Sequence, residues 1–380
     1  EALQTLDEAA ETVPGSPLIA ITLADAHAKR GDFAAAIVEL GKAIDQDPDF
    51  LRAHYRMAQM YRRMGEMEDA ARSLKEVENR NPSFPGLALE QGLLMEVTGK
   101  LEEALAAYTR ALNADPDNLD LKIRVGATAH LLGDNVRAED LLAEVLIKEP
   151  QSAEANFYLG EVYRTTGRIP ESMPMLKLAQ SLDDNNALFH LRYGMTLMEL
   201  RDMGEARRQL DRAAALEPER AEIFLRLGEL ELKEGSSRNA IKSLDHTLSL
   251  DPNIAEAYAL AGDAFEQLSD MRSAVGNYRR AVKQLPDNGE LWFKLGLVEL
   301  QVHGNRVGAG SFAAAVRLGE QAEERPTWLP EALYRLGAAR AASGNKGEAI
   351  HAFKRYLEIA PENDIDRKEV LAYLDRLGAS

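Results

Sequence analysis

Small and large apolar residues recur along this chain every 34 positions with polar residues between them, a pattern that predicts a row of helical hairpins. With each unit counted so that its closing proline is position 32, position 8 is small ten times: Ala24, Ala58, Gly92, Gly126, Gly160, Gly194, Gly228, Gly262, Gly296 and Gly337. Position 20 is Ala36, Ala70, Ala104, Ala138, Ala206, Ala240, Ala274 and Ala349, with Ser172 in the fifth unit. Position 24 is bulky: Leu40, Leu74, Tyr108, Leu142, Leu176, Leu210, Leu244, Tyr278 and Phe353. Small residues at 8 and 20 let two antiparallel helices approach closely, and the large residue at 24 fills the space between them. Gly31, Gly65, Gly99, Gly133, Gly167, Gly235 and Gly344 at position 15 end the first helix, where a left-handed residue is easiest for glycine. Prolines at 48, 82, 116, 150, 218, 252 and 286 close the second helix, with Asp184 where one is missing.

The offsets of Trp292, Leu295 and Gly296, or of Leu159, Gly160 and Tyr163, with the recurring Ala and Pro, resemble the signature of the tetratricopeptide repeat family. The resemblance covers nearly the whole chain. It implies an all-α fold, an α-solenoid forming a right-handed superhelix of about ten hairpins, which binds peptides or proteins along its concave surface and is not an enzyme. Eight units of regular length run from 17 to 288: 17–50, 51–84, 85–118, 119–152, 153–186, 187–220, 221–254 and 255–288. A ninth, 289–329, carries seven extra residues, and a tenth runs from 330 to 363. Residues 1–16 match only the second half of a unit, with Ala2, Leu6, Ala9 and Pro14 in frame, so we expect a truncated repeat whose open edge suits a dimer, and a segment upstream. Residues 364–380 are expected to form a cap helix, started by Asn363 or Asp364, with Val370, Leu371, Leu374 and Leu377 in one apolar stripe and Gly378 at its end.

Composition narrows the function classes. A formal charge of -17 argues against sequence-independent nucleic-acid binding, which needs clustered Lys and Arg. Zero cysteines exclude disulfides and thiolate metal sites and fit a soluble cytoplasmic or periplasmic protein alike. No stretch approaches the roughly 20 apolar residues of a membrane helix, so membrane insertion is not expected.

Catalytic and metal chemistry find little support. Gly308, Gly310 and Ala313 have the spacing of a dinucleotide loop but lack a strand before them, and we expect an ordinary loop there. The seven histidines are scattered singly, and His54 and His190 fall at position 4, where the family carries a packing aromatic. No cofactor and no metal is expected.

The functional signal lies on the first helices, where positions 2, 5, 6, 9, 12 and 13 form one stripe and, by the resemblance, line the groove. Position 5 reads Ile21, Tyr55, Leu89, Ile123, Phe157, Leu191, Leu225, Ala259, Phe293 and Tyr334, an apolar seam. Position 6 adds Arg56, Arg124, Arg192, Arg226, Lys294 and Arg335. Gln59, Arg62 and neighbouring Arg52 and Arg63 make the front basic, while Glu161 beside Tyr158, then Glu229 and other acids, make the back acidic. These residues are the expected partner-binding set, alongside a competing reading in which position 5 packs against the next hairpin and the charges pair across repeats. The chaperone-type carboxylate clamp is absent, since the paired positions 5 and 9 hold Ile21 and Asp25, Tyr55 and Gln59, or Leu89 and Leu93. The expected function is a non-enzymatic scaffold in assembly or secretion. The alternatives are a periplasmic scaffold of an exopolysaccharide exporter and the recognition arm of a larger transferase. Two repeats break the pattern. Pro174 should delay or kink the second helix of the fifth, and the ninth should lengthen its turn through His303 to Gly310.

Overall fold

A computed structural model describes residues 16–379 together with Thr5, Glu8, Thr12 and Val13. Most of the expected half-repeat at residues 1–16 lies outside the described residues. Among the described residues the chain forms 21 helices and no strand. It divides into two compact units, Glu1–Asp183 and Asp184–Ser380.

The first unit holds five hairpins: Pro17–Lys29 with Phe33–Gln46, Leu51–Met64 with Met67–Arg80, Leu87–Val97 with Leu101–Ala114, Leu119–Leu131 with Asn135–Lys148, and Ala153–Thr165 with Ile169–Leu182. In the second unit Ala187–Glu199 pairs with Met203–Leu216, Ala221–Lys233 with Ser237–Leu250, Ala255–Gln267 with Met271–Gln284, Gly289–His303 with Asn305–Gln321, and Leu329–Ala342 with Lys346–Ile359. Four of the ten second helices start on aspartates, Asp32, Asp134, Asp202 and Asp270, whose carboxylates accept a backbone N–H three residues on, as Asp134 does from Arg137 and Asp202 from Glu205.

In each hairpin with glycine at position 8, that residue faces position 24. A Cβ added to Gly92 would lie 2.5 Å from the Tyr108 ring, one on Gly160 2.7 Å from Leu176, and one on Gly262 2.5 Å from Tyr278. Glycine is therefore required by contact, and the alanines at position 20, such as Ala138 and Ala206, are wholly buried beside it. The turn imposes its own demand. Each glycine at position 15 has φ between 74° and 84°, and the two described non-glycine residues with positive φ, Arg201 at 62° and Ser269 at 60°, occupy that position in the sixth and eighth repeats.

Several expectations need correction. The helix Ile169–Leu182 starts at the same frame position as its counterparts and runs through Pro174, so the proline does not delay it. At Ser172 the position-20 hydroxyl is buried without a hydrogen-bond partner among the described residues. In the ninth repeat Gly304 alone, at φ 79°, separates the two helices, so residues 305–310, expected in a lengthened turn, are helical. Gly308, Gly310 and Ala313 thus lie in a helix, not a loop. Gly308 takes position 20 there because a Cβ would come within 3.0 Å of the Leu300 backbone N. The seven extra residues extend this helix to Gln321 and lengthen the connection that follows it. In that connection Trp328, which had no expected role, stacks on Phe293 with ring centroids 5.9 Å apart.

The C-terminal helix begins at Arg367, later than expected, and Asp364 instead accepts hydrogen bonds from the Tyr356 hydroxyl (2.7 Å) and the Asp366 backbone (3.0 Å). Val370 and Leu374 are buried against the last hairpin and Tyr373 stacks on Phe353 at 5.0 Å. Leu371, expected in the stripe, is exposed, since one residue of rotation from Val370 turns it away.

Candidate binding face

The first helices carry the candidate residues, and burial sorts them. Phe157, Leu191, Leu225 and Phe293 at position 5, expected on an accessible seam, are buried, as are Ile21 and Ile123. The cause is contact between successive hairpins within a unit: Leu225 packs with Ala257 and Ala261 of the next repeat. Tyr55 is half-buried, with its ring 5.3 Å from Phe84 and its hydroxyl over Gly86, where a Cβ would come within 2.6 Å. Burial, reinforced by Glu90, raises its phenol above the ordinary value, against the opposing arginines.

Position 6 forms a ladder of ion pairs between neighbouring repeats. Arg56 donates to Gln59 (2.9 Å) and lies 3.6 Å from Asp25. Arg62 reaches Glu90 at 2.6 Å, and Gln59 donates to the same carboxylate, which is buried. Arg124 sits 3.8 Å from Glu96 and over the Tyr108 ring. Arg192 pairs with Glu222, and Arg226 with Glu229 at 2.7 Å and Glu256 at 2.8 Å. Lys294 holds Asp263 at 2.9 Å. Glu161, buried, pairs with Arg164 on its own helix at 2.8 Å. Burial pushes the Glu229 carboxyl up, but hydrogen bonds from Lys233 and Arg226 outweigh it and hold the group below the usual carboxylate range. Below this ladder the buried Tyr278 hydroxyl lies 2.6 Å from Asp263 and 3.0 Å from Glu266, and burial with those two charges drives its ionisation far above normal.

The accessible apolar surface lies elsewhere on the stripe. Val97 and Leu131, at position 13 of the third and fourth repeats, are 58% and 60% exposed. Leu93 and Tyr158 are partly exposed on the same face. Arg52 and Arg63 in the second repeat are exposed, and neither has an ion-pair partner among the described residues; Arg63 lies over the Phe33 ring at 5.7 Å. Position 13 belonged to the stripe read from sequence, and two apolar residues there in adjacent repeats were the signal that the position-5 reading passed over.

Position 4 has a structural task. His54 Nε2 lies 3.0 Å from the Pro48 carbonyl, Asn156 donates to Pro150 at 3.0 Å, His190 Nε2 lies 3.0 Å from the Asp184 carbonyl, and Trp292 donates to Pro286 at 2.8 Å. Each ties a first helix to the residue that closed the preceding one. Among the described residues no three His, Cys, Asp or Glu side chains gather as a metal site, and no helix is long and apolar enough to cross a membrane.

Family models described as tetratricopeptide repeat match residues 1–49, 132–187, 191–253, 225–288 and 259–302, more than half of the chain, and others of the same description match 28–89, 96–118 and 330–363. The TPR repeat-containing thioredoxin TTL4 of Arabidopsis thaliana is 39% identical over 72 residues, which is 19% of this chain and 11% of that protein, so the chain spans about a tenth of that relative's length. Among solved structures, a chain of the APC/C hetero-tetramer Cut9-Hcn1 is similar at a TM-score of 0.52 and 15% identity, covering 99% of this chain and 92% of that one. MamA protein is similar at a TM-score of 0.40 and 24% identity, over 45% of this chain and 94% of its own. The likeness to the Cut9 assembly is one of fold.

Proposed function

Since the chain belongs to the tetratricopeptide repeat family, we propose that it is a non-enzymatic scaffold that binds a peptide or protein segment along the first-helix face of repeats two to five. The observation that carries this reading is the pairing of exposed Val97 and Leu131 with the exposed, unpaired Arg52 and Arg63 on one unit's first helices. Apolar anchors on the same stripe as cations that have no carboxylate partner suit a segment with apolar side chains and an acidic end, and anchors of this kind contribute most of an interface's energy. Arg56, Arg62 and Arg124, already paired, would flank the segment rather than anchor it.

The reading is tested with a partner captured by the intact chain. Val97→Glu with Leu131→Glu should weaken its binding at least tenfold, mainly through faster dissociation, while Arg52→Glu with Arg63→Glu should slow association and flatten its salt dependence. Val136→Glu with Ile147→Glu, on the exposed side of a second helix, should leave affinity unchanged. The opposite ranking would move the interface off the first helices.

A further inference from the structure

Within the second unit, the crevice between the second helix of one repeat and the hairpin of the next is lined at three frame positions: 25 of the earlier repeat, and 11 and 23 of the later. Between repeats eight and nine these are Arg279, Glu299 and Ser311. They interlock: Arg279 Nη2 donates to Glu299 Oε1 at 2.6 Å, the Ser311 hydroxyl donates to Oε2 at 2.6 Å, and Glu299 is 4% exposed. Between repeats nine and ten the same positions hold Ala313, Arg340 and Ala352. The charge at position 11 is reversed and both of its partners are cut back to a methyl group.

What remains is a cavity of about 310 Å³, walled by Val316, Leu333 and Leu336 and floored by the two alanines. Its volume lies within the range of small-molecule sites. Arg340 lines it, and its buried Nε makes no hydrogen bond among the described residues. The nearest opposite charge, Glu348 Oε2, is 2.9 Å away but out of line for a hydrogen bond, and its side chain is 64% exposed. Glu348 therefore pairs with this buried donor by charge alone, and an acceptor aligned with its N–H adds the hydrogen bond that the ion pair lacks. Glu348 can return to water at little cost. At the rim Arg355 is already held by Glu320 at 2.9 Å, and His351 stands exposed beside the opening.

We propose that this cavity is a binding site for a small monocarboxylic acid with a compact apolar body, whose carboxylate replaces Glu348 on Arg340. The apolar walls select the body. With Glu320 neutralised by Arg355, the displaced Glu348 carboxylate is the charge left at the rim, and it disfavours a second negative charge, hence dicarboxylates and phosphates. The site is separate from the first-helix face and independent of what binds there.

The probe is 3-phenylpropionate, titrated into the full chain by calorimetry and ligand-observed NMR, with 3-phenylpropionamide as its uncharged counterpart. Saturable binding of the acid, at least tenfold weaker binding of the amide, and at least tenfold loss in Arg340→Gln are expected. The combined variant A313R, R340E and A352S copies the plug between repeats eight and nine; it should keep the helical signal and abolish binding. No saturation up to millimolar acid, equal binding of acid and amide, or undiminished binding in R340Q would each overturn the proposal, whether or not the combined variant folds.

Discussion

In the fourth repeat a methyl group added to Gly126 would come 2.9 Å from Leu142, and in the sixth the same addition to Gly194 would come 3.1 Å from Leu210; Ala138 and Ala206 are both fully buried beside these pairs. The interiors are equivalent, yet the fourth hairpin turns on Gly133 at φ 84° and the sixth on Arg201 at φ 62°. The lesson is one of hierarchy. Close packing of two helices fixes where the turn must reverse, and that demand places an arginine in a backbone region that L-residues otherwise avoid.

The largest effect should come from breaking the shared interior. Ala138→Leu and Ala206→Leu are each expected to cost roughly 1–3 kcal/mol through overpacking, seen as an early partial transition in thermal unfolding with distant repeats still protected from hydrogen exchange. A loss in only one of them would show that the two interiors are not equivalent. The turn should respond with opposite signs: Gly133→Ala destabilises and Arg201→Gly stabilises, each by about 1 kcal/mol in denaturant unfolding. Matching signs would mean that the turn does not constrain the sixth repeat as its φ implies.

The smallest effect separates the two repeats by pH. In the fourth, Arg124 stands 3.8 Å from Glu96, whereas in the sixth Arg192 hydrogen-bonds Glu222. Burial raises the Glu222 carboxyl, but the hydrogen bond and charge of Arg192, with Arg220, outweigh burial and hold it below the usual range. A carboxyl depressed in the folded state adds stability above its unfolded pKa of about 4.3, and that stability is lost as pH falls through the lower folded value. Glu222→Gln should therefore cost about 1 kcal/mol or less at pH 7 and almost nothing near pH 3. A cost that persists unchanged in acid would assign the side chain a packing role instead.

Much of the fold was legible because each hairpin is a local object. Gly92 and Tyr108, or Gly296 and Phe312, stand 16 residues apart and touch, so a 34-residue pattern contains the contact it predicts. Errors arose where a local signal was weighed alone. Pro174 and the glycines of 308–310 read as helix breakers, but their neighbours hold them in helices whose frame is set by the packing of the whole hairpin. The candidate face was legible as a stripe and not as a surface: Phe157 and Leu225 share it with Val97 and Leu131, and only the second pair is accessible.

The sequence by itself determined the repeat frame, the all-helical class, the small-against-large pairing inside each hairpin and, outside the ninth repeat, the positions of the turns, because these depend on residues within one unit. The tertiary structure decided which stripe positions stay exposed, which cations are neutralised by a neighbour's carboxylate, and where Ala313, Arg340 and Ala352 leave a crevice unfilled. Those outcomes depend on how closely the next hairpin packs, a relation between residues of different units that no single unit's pattern encodes.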